Sequence, residues 1–245
     1  MNRSARERYS PPETVEEMTL GELLRRSGRK AGKTEQLELL GTRGRDLVSQ
    51  RMFAAGDTEL LDRPCVAIVG TRKVSNEGAS RARRLARELA AQDVVVVSGL
   101  AKGVDTAALH SAVISGGRTV GVLGTPLDRA TPVSNSELQM SMYRDHLLLS
   151  QFAAGSVIQK NNFPRRNRTM AAISDATVII EASDTSGTLH QAVECSRLGR
   201  WLFIARSLVE NTAVSWPRQF LNYPTTVVLG DTDDVLERLE SCPSA

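Results

Sequence analysis

The residues best suited to chemistry lie in one short segment, residues 160–168. Within these nine positions four cationic side chains surround a single aromatic residue, Phe163. Cations neutralise the phosphates of a nucleic-acid backbone, and an aromatic ring can stack on an unpaired base. The segment therefore favours binding of a single strand, and its candidate residues are Lys160, Asn162, Phe163, Arg165, Arg166, Asn167 and Arg168. The alternative is a solvated basic loop, leading into a helix over residues 169–174, in which Phe163 only anchors the core.

Small and polar residues follow four short apolar runs, at residues 70–72, 98–105, 124–126 and 181–188. Small side chains let the backbone approach a ligand, and amides at helix N-termini attract phosphate. Because the carboxyl ends of parallel strands meet at one edge of a sheet, these residues would form a phosphate-binding rim. The alternative is that glycine and serine only satisfy turn geometry. The candidate residues of the rim are Gly70, Thr71, Arg72, Ser98, Gly99, Lys102, Ser186 and Gly187.

Sharper catalytic motifs are absent from the sequence. Residues 70–78 do not form the GxGxxG fingerprint of dinucleotide-binding proteins, and no GxxxxGK[ST] phosphate loop occurs. Neither HExxH nor GxSxG occurs, and the three histidines lack metal-ligand spacing. We therefore expect a protein that is not an enzyme, with no catalytic residue, no metal and no cofactor.

Seven apolar runs, separated by longer amphipathic stretches, must position these candidates. Runs rich in β-branched residues and without polar alternation are typical of strands buried on both faces. They cover residues 65–70, 94–98, 119–123, 146–150, 177–181, 201–205 and 225–229. Between the first two runs the apolar residues of positions 79–90 share one helical face, and Ser75 is a candidate N-cap. The pattern predicts an α/β fold with a doubly wound, mostly parallel sheet and helices on both faces.

The length of 245 residues suffices for one large α/β domain with a sizeable core. Residues 1–56 are polar and charged, and only Val15–Leu24 and Leu37–Phe53 have helix-like apolar spacing. We interpret residues 1–56 as an N-terminal extension, partly helical or disordered, and residues 57–245 as the α/β domain.

The charge of the chain is unevenly distributed. The formal net charge is +3, and the extension holds 11 Lys and Arg against 8 Asp and Glu, whereas residues 57–245 hold 20 of each. A nucleic-acid partner must therefore be held by a local basic cluster and not by a general positive field. Aromatic residues make up only 4% of the chain, which disfavours a stacking platform of the RRM or OB type.

Cysteine usage and hydropathy indicate the compartment. Cys65, Cys195 and Cys242 are too few and too scattered for a disulfide framework. No apolar run approaches the ~20 residues of a membrane span, and the N-terminus lacks the apolar segment of a signal peptide. We therefore expect a cytoplasmic protein that does not contact the membrane.

Five ordered motifs resemble those of the DNA-processing protein A family (DprA, also called Smf). They are Gly70–Arg72, Ser98–Ala101 with Gly103–Asp105, Gly116–Gly124 with Asn135 downstream, Asn162–Arg168, and Ser186–Leu189. The resemblance runs from about residue 65 to residue 203. It implies an extended Rossmann fold that binds single-stranded DNA, forms a homodimer, and delivers the DNA to a RecA-type recombinase during natural transformation or recombination.

Carried over position by position, the resemblance also implies the residues of the strand-binding pocket. These are Arg72, Ser98, Gly99, Lys160, Phe163, Arg166 and Asn167, with Ser186 and Gly187 closing the far side. Dimerisation would use elements late in the sheet, where the region from Trp201 to Tyr223 holds five of the ten aromatic residues. The alternative is that these aromatic residues complete the core.

The sequence also departs from the family pattern. The departures are Leu109 for a histidine, Pro126 for a glycine, Thr131 for a tyrosine, Gln151 for a glutamate, and Arg206-Ser207 for Pro-Gly. Family members commonly carry an N-terminal helical domain and a C-terminal winged-helix domain, and we expect neither in a chain of this length. The residues of the DNA pocket are retained better than the region that would contact the recombinase.

Two further readings use the same rim. The related lonely guy (LOG) phosphoribohydrolases carry a PGGxGTxxE motif, but the position of its hydrolytic glutamate is Gln191 here. An amide cannot act as a general acid or base, which disfavours hydrolysis. A non-catalytic pocket for a signalling nucleotide stays open, and it would not need the basic segment of residues 160–168.

We predict that the purified protein does not hydrolyse nucleoside monophosphates, because Gln191 cannot supply the proton transfer. Chromatographic assay of free base release measures this. Release at enzymatic rates that disappears in Gln191→Ala would contradict the prediction.

Overall fold

The computed structural model describes residues 9–28 and 30–240, which form one nine-stranded sheet flanked by helices. Its strands are β1 (Glu16–Thr19), β2 (Arg51–Gly56), β3 (Cys65–Val69), β4 (Val95–Ser98), β5 (Thr119–Leu123), β6 (Leu147–Ser150), β7 (Ala176–Ile179), β8 (Trp201–Ala205) and β9 (Thr226–Leu229). Residues 1–8 of the predicted extension and Cys242 lie outside the described residues.

Ten α-helices connect and cover these strands within the described residues. They are α1 (Leu20–Arg26), α2 (Ala31–Leu39), α3 (Thr42–Val48), α4 (Asn76–Ala91), α5 (Val104–Ile114), α6 (Ser136–Asp145), α7 (Asn162–Ile173), α8 (Thr188–Arg197), α9 (Arg206–Val209) and α10 (Asp233–Glu240). None of them is both long enough and apolar enough to cross a membrane.

The strand order is β1-β2-β6-β5-β4-β3-β7-β8-β9. All pairs in the order from β6 to β9 are parallel, whereas β1 with β2 and β2 with β6 pair in the antiparallel sense. The chain runs outward from β3 to β6, then returns to β7 on the other side of β3. The predicted doubly wound, mostly parallel sheet is therefore confirmed, and its topological switch point lies between β3 and β7.

Burial explains why the apolar runs became strands. Every residue of β3, β4, β5, β6 and β7 is buried, with separate apolar clusters packed on the two faces of the sheet. The predicted cap is also confirmed, since Ser75 Oγ accepts a hydrogen bond from Gly78 N (3.0 Å) at the start of α4. The helix turns Ala82, Leu85 and Leu89 toward the sheet.

The N-terminal segment contains two strands besides the helices α1, α2 and α3. Residues 16–19 and 51–56 are strands, and β2 pairs along β6 in the register Phe53↔Ser150 to Gly56↔Leu147. The open edge of β6 offers backbone hydrogen bonds and an apolar face, and this tertiary contact overrides the local helical spacing. The predicted domain boundary falls at the end of β2, and the division into two domains stays a prediction.

A buried ionic cluster attaches α2 and the turn before it to the sheet. Asp175 accepts hydrogen bonds from Lys30 Nζ (2.9 Å), Lys33 Nζ (2.7 Å) and the backbone N–H of Cys65 (2.8 Å). Burial would raise the pKa of Asp175, but the two ammonium groups hold it well below its ordinary value. Burial lowers the pKa of Lys33 to about 7, against the attraction of Asp175.

Replacement of Asp175 by Asn preserves the shape of the side chain but removes the charge that both lysines face. We expect the free energy of unfolding to fall by about 3 to 5 kcal/mol, the cost of breaking a buried ion pair by removing one partner. Chemical denaturation measures the change, and Asp46→Asn, at an exposed carboxylate of α3, is the control. Equal stability of the two variants would show that the cluster is not needed.

Candidate nucleic-acid interface

A cavity of about 280 Å³ opens at the topological switch point, between the carboxyl ends of β3 and β7 and the first turns of α7 and α8. This is the position at which open α/β sheets bind their ligands. We refer to this cavity as the crevice. The structure brings eight of the predicted site residues to its walls: Gly70, Thr71, Arg72, Phe163, Arg166, Asn167, Ser186 and Gly187.

The basic segment enters the crevice as a helix and not as a loop. The expectation of a helix only from Thr169 onward is wrong, because α7 begins at Asn162. Pro164 lies in its first turn, where a missing N–H removes no hydrogen bond. Helical spacing then separates the side chains: Phe163, Arg166, Asn167 and Met170 line the crevice, whereas Arg165 and Arg168 do not.

Arg166 crosses the carboxyl edge of the sheet beneath the crevice. Its Nη1 donates to the carbonyl oxygen of Val122 (2.9 Å) and its Nε to Asn167 Oδ1 (2.9 Å). Burial lowers the pKa of Arg166, and the facing carboxylate of Asp105 opposes that shift. A Cβ atom on Gly99 would overlap Nη1 of Arg166. Gly99 therefore makes room for a side chain of the protein itself.

Asp105 is a wall residue that the sequence-based site omits. Its carboxylate accepts from the backbone N–H groups of Gly99 (3.2 Å) and Ala101 (3.4 Å). Burial raises the pKa of Asp105, and Arg166 opposes the rise. Asp105 ends the motif that begins at Ser98, and Met170 follows Phe163 by two helical turns. Motif membership and helical periodicity could therefore have found both residues.

Arg72 and Phe163 form the mouth of the crevice. The guanidinium carbon of Arg72 lies over the Phe163 ring, 5.0 Å from its centroid. One side of the ring packs against the backbone of Gly124, where a Cβ atom would come within 2.7 Å of Phe163 Cδ1. Arg72 is exposed and makes no ion pair with any described residue. Its charge is therefore available to an anion.

The N-terminus of α8 forms the opposite wall. Asn167 Nδ2 donates to the carbonyl oxygen of Gly187 (3.2 Å), and Ser186 Oγ accepts from the backbone N–H of Thr188 (3.2 Å). A Cβ atom on Gly187 would meet no heavy atom within 4 Å. The positive end of a ten-residue helix therefore faces open space at the crevice, a setting that favours phosphate.

Glu181 closes the other helix terminus that could hold a phosphate. Its carboxylate accepts from Ser75 Oγ (2.8 Å) and Ser75 N (3.3 Å) at the start of α4. Dinucleotides in Rossmann folds place their pyrophosphate at the helix that follows the first strand of the βαβ unit. In this chain the Glu181 carboxylate occupies that position at the start of α4. An anion in the crevice therefore faces Arg72 and the N-terminus of α8 instead.

The remaining predicted residues do not line the crevice. Ser98 is fully buried and donates from Oγ to the carbonyl oxygen of Ile68 (2.6 Å), and Gly99 lies beneath Arg166. Asn162 is buried in the first turn of α7. Lys102 and Lys160 are exposed, before α5 and α7 respectively.

Arg165 and Arg168 project from the other side of α7. The guanidinium of Arg165 lies over the Phe152 ring, 5.3 Å from its centroid. Arg168 forms an ion pair with Glu194 of α8 (3.2 Å). The cations that looked equivalent in the sequence thus have different surroundings.

Gln191 does not line the crevice but lies behind its wall, in the contact between α7, α8 and β7. It is fully buried, and its amide is within hydrogen-bonding distance of Thr177 Oγ1 (3.1 Å) and of the Asn167 carbonyl oxygen (2.7 Å). The position that carries the glutamate in phosphoribohydrolases is therefore occupied here by a packed structural side chain.

Comparison with known proteins identifies similar chains. The family model for DNA recombination-mediator protein A matches residues 45–240. DNA processing protein DprA of Streptococcus pneumoniae is 40% identical over 152 residues, which cover 62% of this chain and 54% of that protein. The chain spans between about a third and two thirds of the length of the curated relatives it matches.

Two solved structures share the fold. The X-ray structure of the Streptococcus pneumoniae protein superposes with a TM-score of 0.70 at 33% identity, covering 77% of this chain and 66% of that one. A structure of DNA processing protein A from Helicobacter pylori superposes with a TM-score of 0.69 at 28% identity, covering 78% of this chain and 87% of that one. The latter concerns a single-stranded DNA binding mode of that protein.

The contact between Gly99 and Arg166 generates a test. Gly99→Ala places a methyl group where the buried guanidinium lies, so we expect the free energy of unfolding to fall by about 1 to 3 kcal/mol. Gly187→Ala, the same change in open space, should alter stability by no more than about 0.5 kcal/mol. Thermal and chemical denaturation of both variants measure the difference. A Gly99→Ala protein as stable as wild type would contradict the assigned packing.

Proposed function

The chain belongs to the DNA recombination-mediator protein A family, the DprA/Smf family that its motifs resemble, and from this premise we propose that it binds single-stranded DNA in the crevice. The observation that carries the proposal is the mouth of the crevice, where an exposed arginine with no ion pair among the described residues lies over an aromatic ring and faces the N-terminus of α8. The binding mode studied for the Helicobacter pylori relative supports it.

The two parts of a nucleotide have separate partners in this arrangement. A backbone phosphate binds between Arg72 and the first turn of α8, where Ser186, Gly187 and Thr188 line the wall. The adjacent base stacks on Phe163. Bases of a duplex are stacked on their neighbours and paired, so they cannot enter a cavity of about 280 Å³. The geometry thus favours single strands.

Two exposed lysines lie in segments that adjoin those lining the crevice. Lys102 and Lys160 are exposed, and we assign to them the phosphates that precede and follow the bound nucleotide. Arg166 has a different part, because it is buried and bonded to Val122 and Asn167. We propose that Arg166, together with Ser98, Gly99 and Asn162, maintains the shape of the bottom of the crevice.

A pocket for a single nucleotide is the second candidate. The volume of about 280 Å³ is sufficient for one nucleotide, and the wall formed by the N-terminus of α8 is suited to its phosphate. Such a ligand would not need Lys102 and Lys160 outside the crevice. We propose a binding role without catalysis in either case, because Gln191 is buried and does not line the crevice.

The wider biological role follows from the family. We propose that the protein protects single-stranded DNA in the cytoplasm and delivers it to a RecA-type recombinase during DNA uptake or recombination. We also propose a homodimer formed through late elements of the sheet, where β9 pairs only with β8 among the described strands. The aromatic residues do not support that interface: Phe203, Trp216 and Phe220 are buried in the chain itself, and only Tyr223 is half exposed.

The dependence of affinity on salt tests strand binding. Affinity for oligo-dT should fall steeply with salt, and each phosphate neutralised on a single strand adds about 0.7 to the log–log slope. Arg72→Ala and Lys160→Ala should each flatten the slope by about that amount. Phe163→Ala should cost about 1 to 3 kcal/mol through lost stacking and leave the slope nearly unchanged. Fluorescence anisotropy titrations at several salt concentrations separate the two effects.

A matched control is Arg144→Ala, at an exposed arginine in the last turn of α6 and therefore at the amino edge of the sheet. It should bind like wild type. Equally tight binding of duplex, or wild-type affinity of Arg72→Ala and Lys160→Ala, would contradict strand binding. Tight binding of a mononucleotide that excludes oligo-dT would support the nucleotide pocket instead.

A further inference from the structure

We propose that Arg72 is a specificity-determining residue that makes base stacking on Phe163 conditional on a bound phosphate. The inference rests on the proposed function, since it assigns to the same crevice the order in which phosphate and base are recognised. Without a strand, the guanidinium covers the ring. A backbone phosphate draws the guanidinium away from the ring, and a base then takes its place.

The geometry puts Arg72 in direct competition with a base. The guanidinium carbon lies over the ring at 5.0 Å from the centroid, and both side chains line the crevice. Another part of the ring lies so close to Gly124 that a Cβ atom there would come within 2.7 Å of Phe163 Cδ1. A base that enters from the crevice and stacks on this face of the ring therefore takes the position that the guanidinium now holds.

The two possible partners of the guanidinium differ in strength. A cation–π contact at an exposed site is weak, whereas a guanidinium and a phosphate form charge-assisted, often bidentate, hydrogen bonds. Arg72 is exposed, and no carboxylate of the described residues forms an ion pair with it. A phosphate held at the N-terminus of α8 can therefore attract the side chain from the ring. An uncharged base offers no such replacement.

A consequence for specificity follows from this exchange. An open aromatic platform binds any planar base, including free bases and nucleosides. A ring covered by a cation discriminates against those uncharged molecules and admits a base that is attached to a phosphodiester. The crevice thereby selects for strands over unphosphorylated nucleosides, without any contact to a base edge.

Two partial ligands test the proposal on the full chain. Thymidine carries a base without phosphate, and an oligonucleotide of abasic tetrahydrofuran units carries phosphates without bases. Saturation-transfer NMR titration measures thymidine, and fluorescence anisotropy measures the labelled abasic strand. In wild type, saturating abasic strand should raise thymidine affinity about two- to five-fold, the ratio that corresponds to one exposed cation–π contact.

We call the covering of the Phe163 ring by Arg72 the gate. The variants distinguish an effect of the gate from a simple loss of positive charge. Arg72→Ala should bind thymidine about two- to five-fold more tightly than wild type in the absence of the abasic strand, because the ring is uncovered. The abasic strand should then give no further increase. Arg72→Ala combined with Phe163→Ala should lose the gain. Arg144→Ala removes another guanidinium stacked over a ring, that of Tyr143 at 5.8 Å, and should behave like wild type.

Each outcome distinguishes the two proposals. If the abasic strand does not bind wild type, the proposed strand-binding function fails. If it binds but thymidine affinity is equal or lower in Arg72→Ala, the gate is overturned and strand binding stands. Thymidine binding that is undetectable in every variant also overturns the gate, since uncovering the ring should reveal it.

Discussion

The buried guanidinium of Arg166 joins α7 to the carboxyl edge of the sheet, and the crevice depends on this contact. Its Nη1 donates to Val122 in β5, while the group lies against Gly99 at the end of β4 and faces Asp105. A buried charge is stable only with bonded and charged partners, so the helix has one position on the sheet. Phe163, one turn earlier on α7, takes its place at the mouth as a result.

The glycines of the rim illustrate how one residue type serves different neighbours. Small residues after the strands indicate that the backbone is approached closely, and a ligand is the natural candidate. At Gly99 and Gly124 the approaching groups are Arg166 and Phe163 of the protein itself, and a Cβ atom on Gly70 would lie 2.8 Å from the Glu181 carbonyl oxygen. At Gly187, in contrast, a Cβ atom would meet no heavy atom within 4 Å, so this glycine leaves space at the crevice. A glycine thus predicts proximity but does not identify the neighbour.

The sequence predicted the parallel strands closely because both of their faces are buried, which requires continuous apolar runs. The ends of β3, β5 and β8 agree within a residue, while the run predicted to end at Glu181 stops at Ile179, because Glu181 turns toward Ser75. The antiparallel strands escaped prediction, since the pairing of β2 with β6 depends on a partner about a hundred residues away. The first turn of α7 escaped it because Pro164 reads as a helix breaker although the first turn tolerates it.

Charge counts in the sequence describe the binding surface only after the internal pairs are subtracted. Lys30 and Lys33 face Asp175, Arg166 faces Asp105, and Arg168 pairs with Glu194, so these four cations are engaged by the protein's own carboxylates. Arg72, Lys102 and Lys160 are exposed and form no ion pair with described residues. Attraction for a nucleic acid is therefore local and falls off within about 10 Å at ordinary salt. These cations therefore attract a strand at the crevice, where the Phe163 ring and the N-terminus of α8 also bind it.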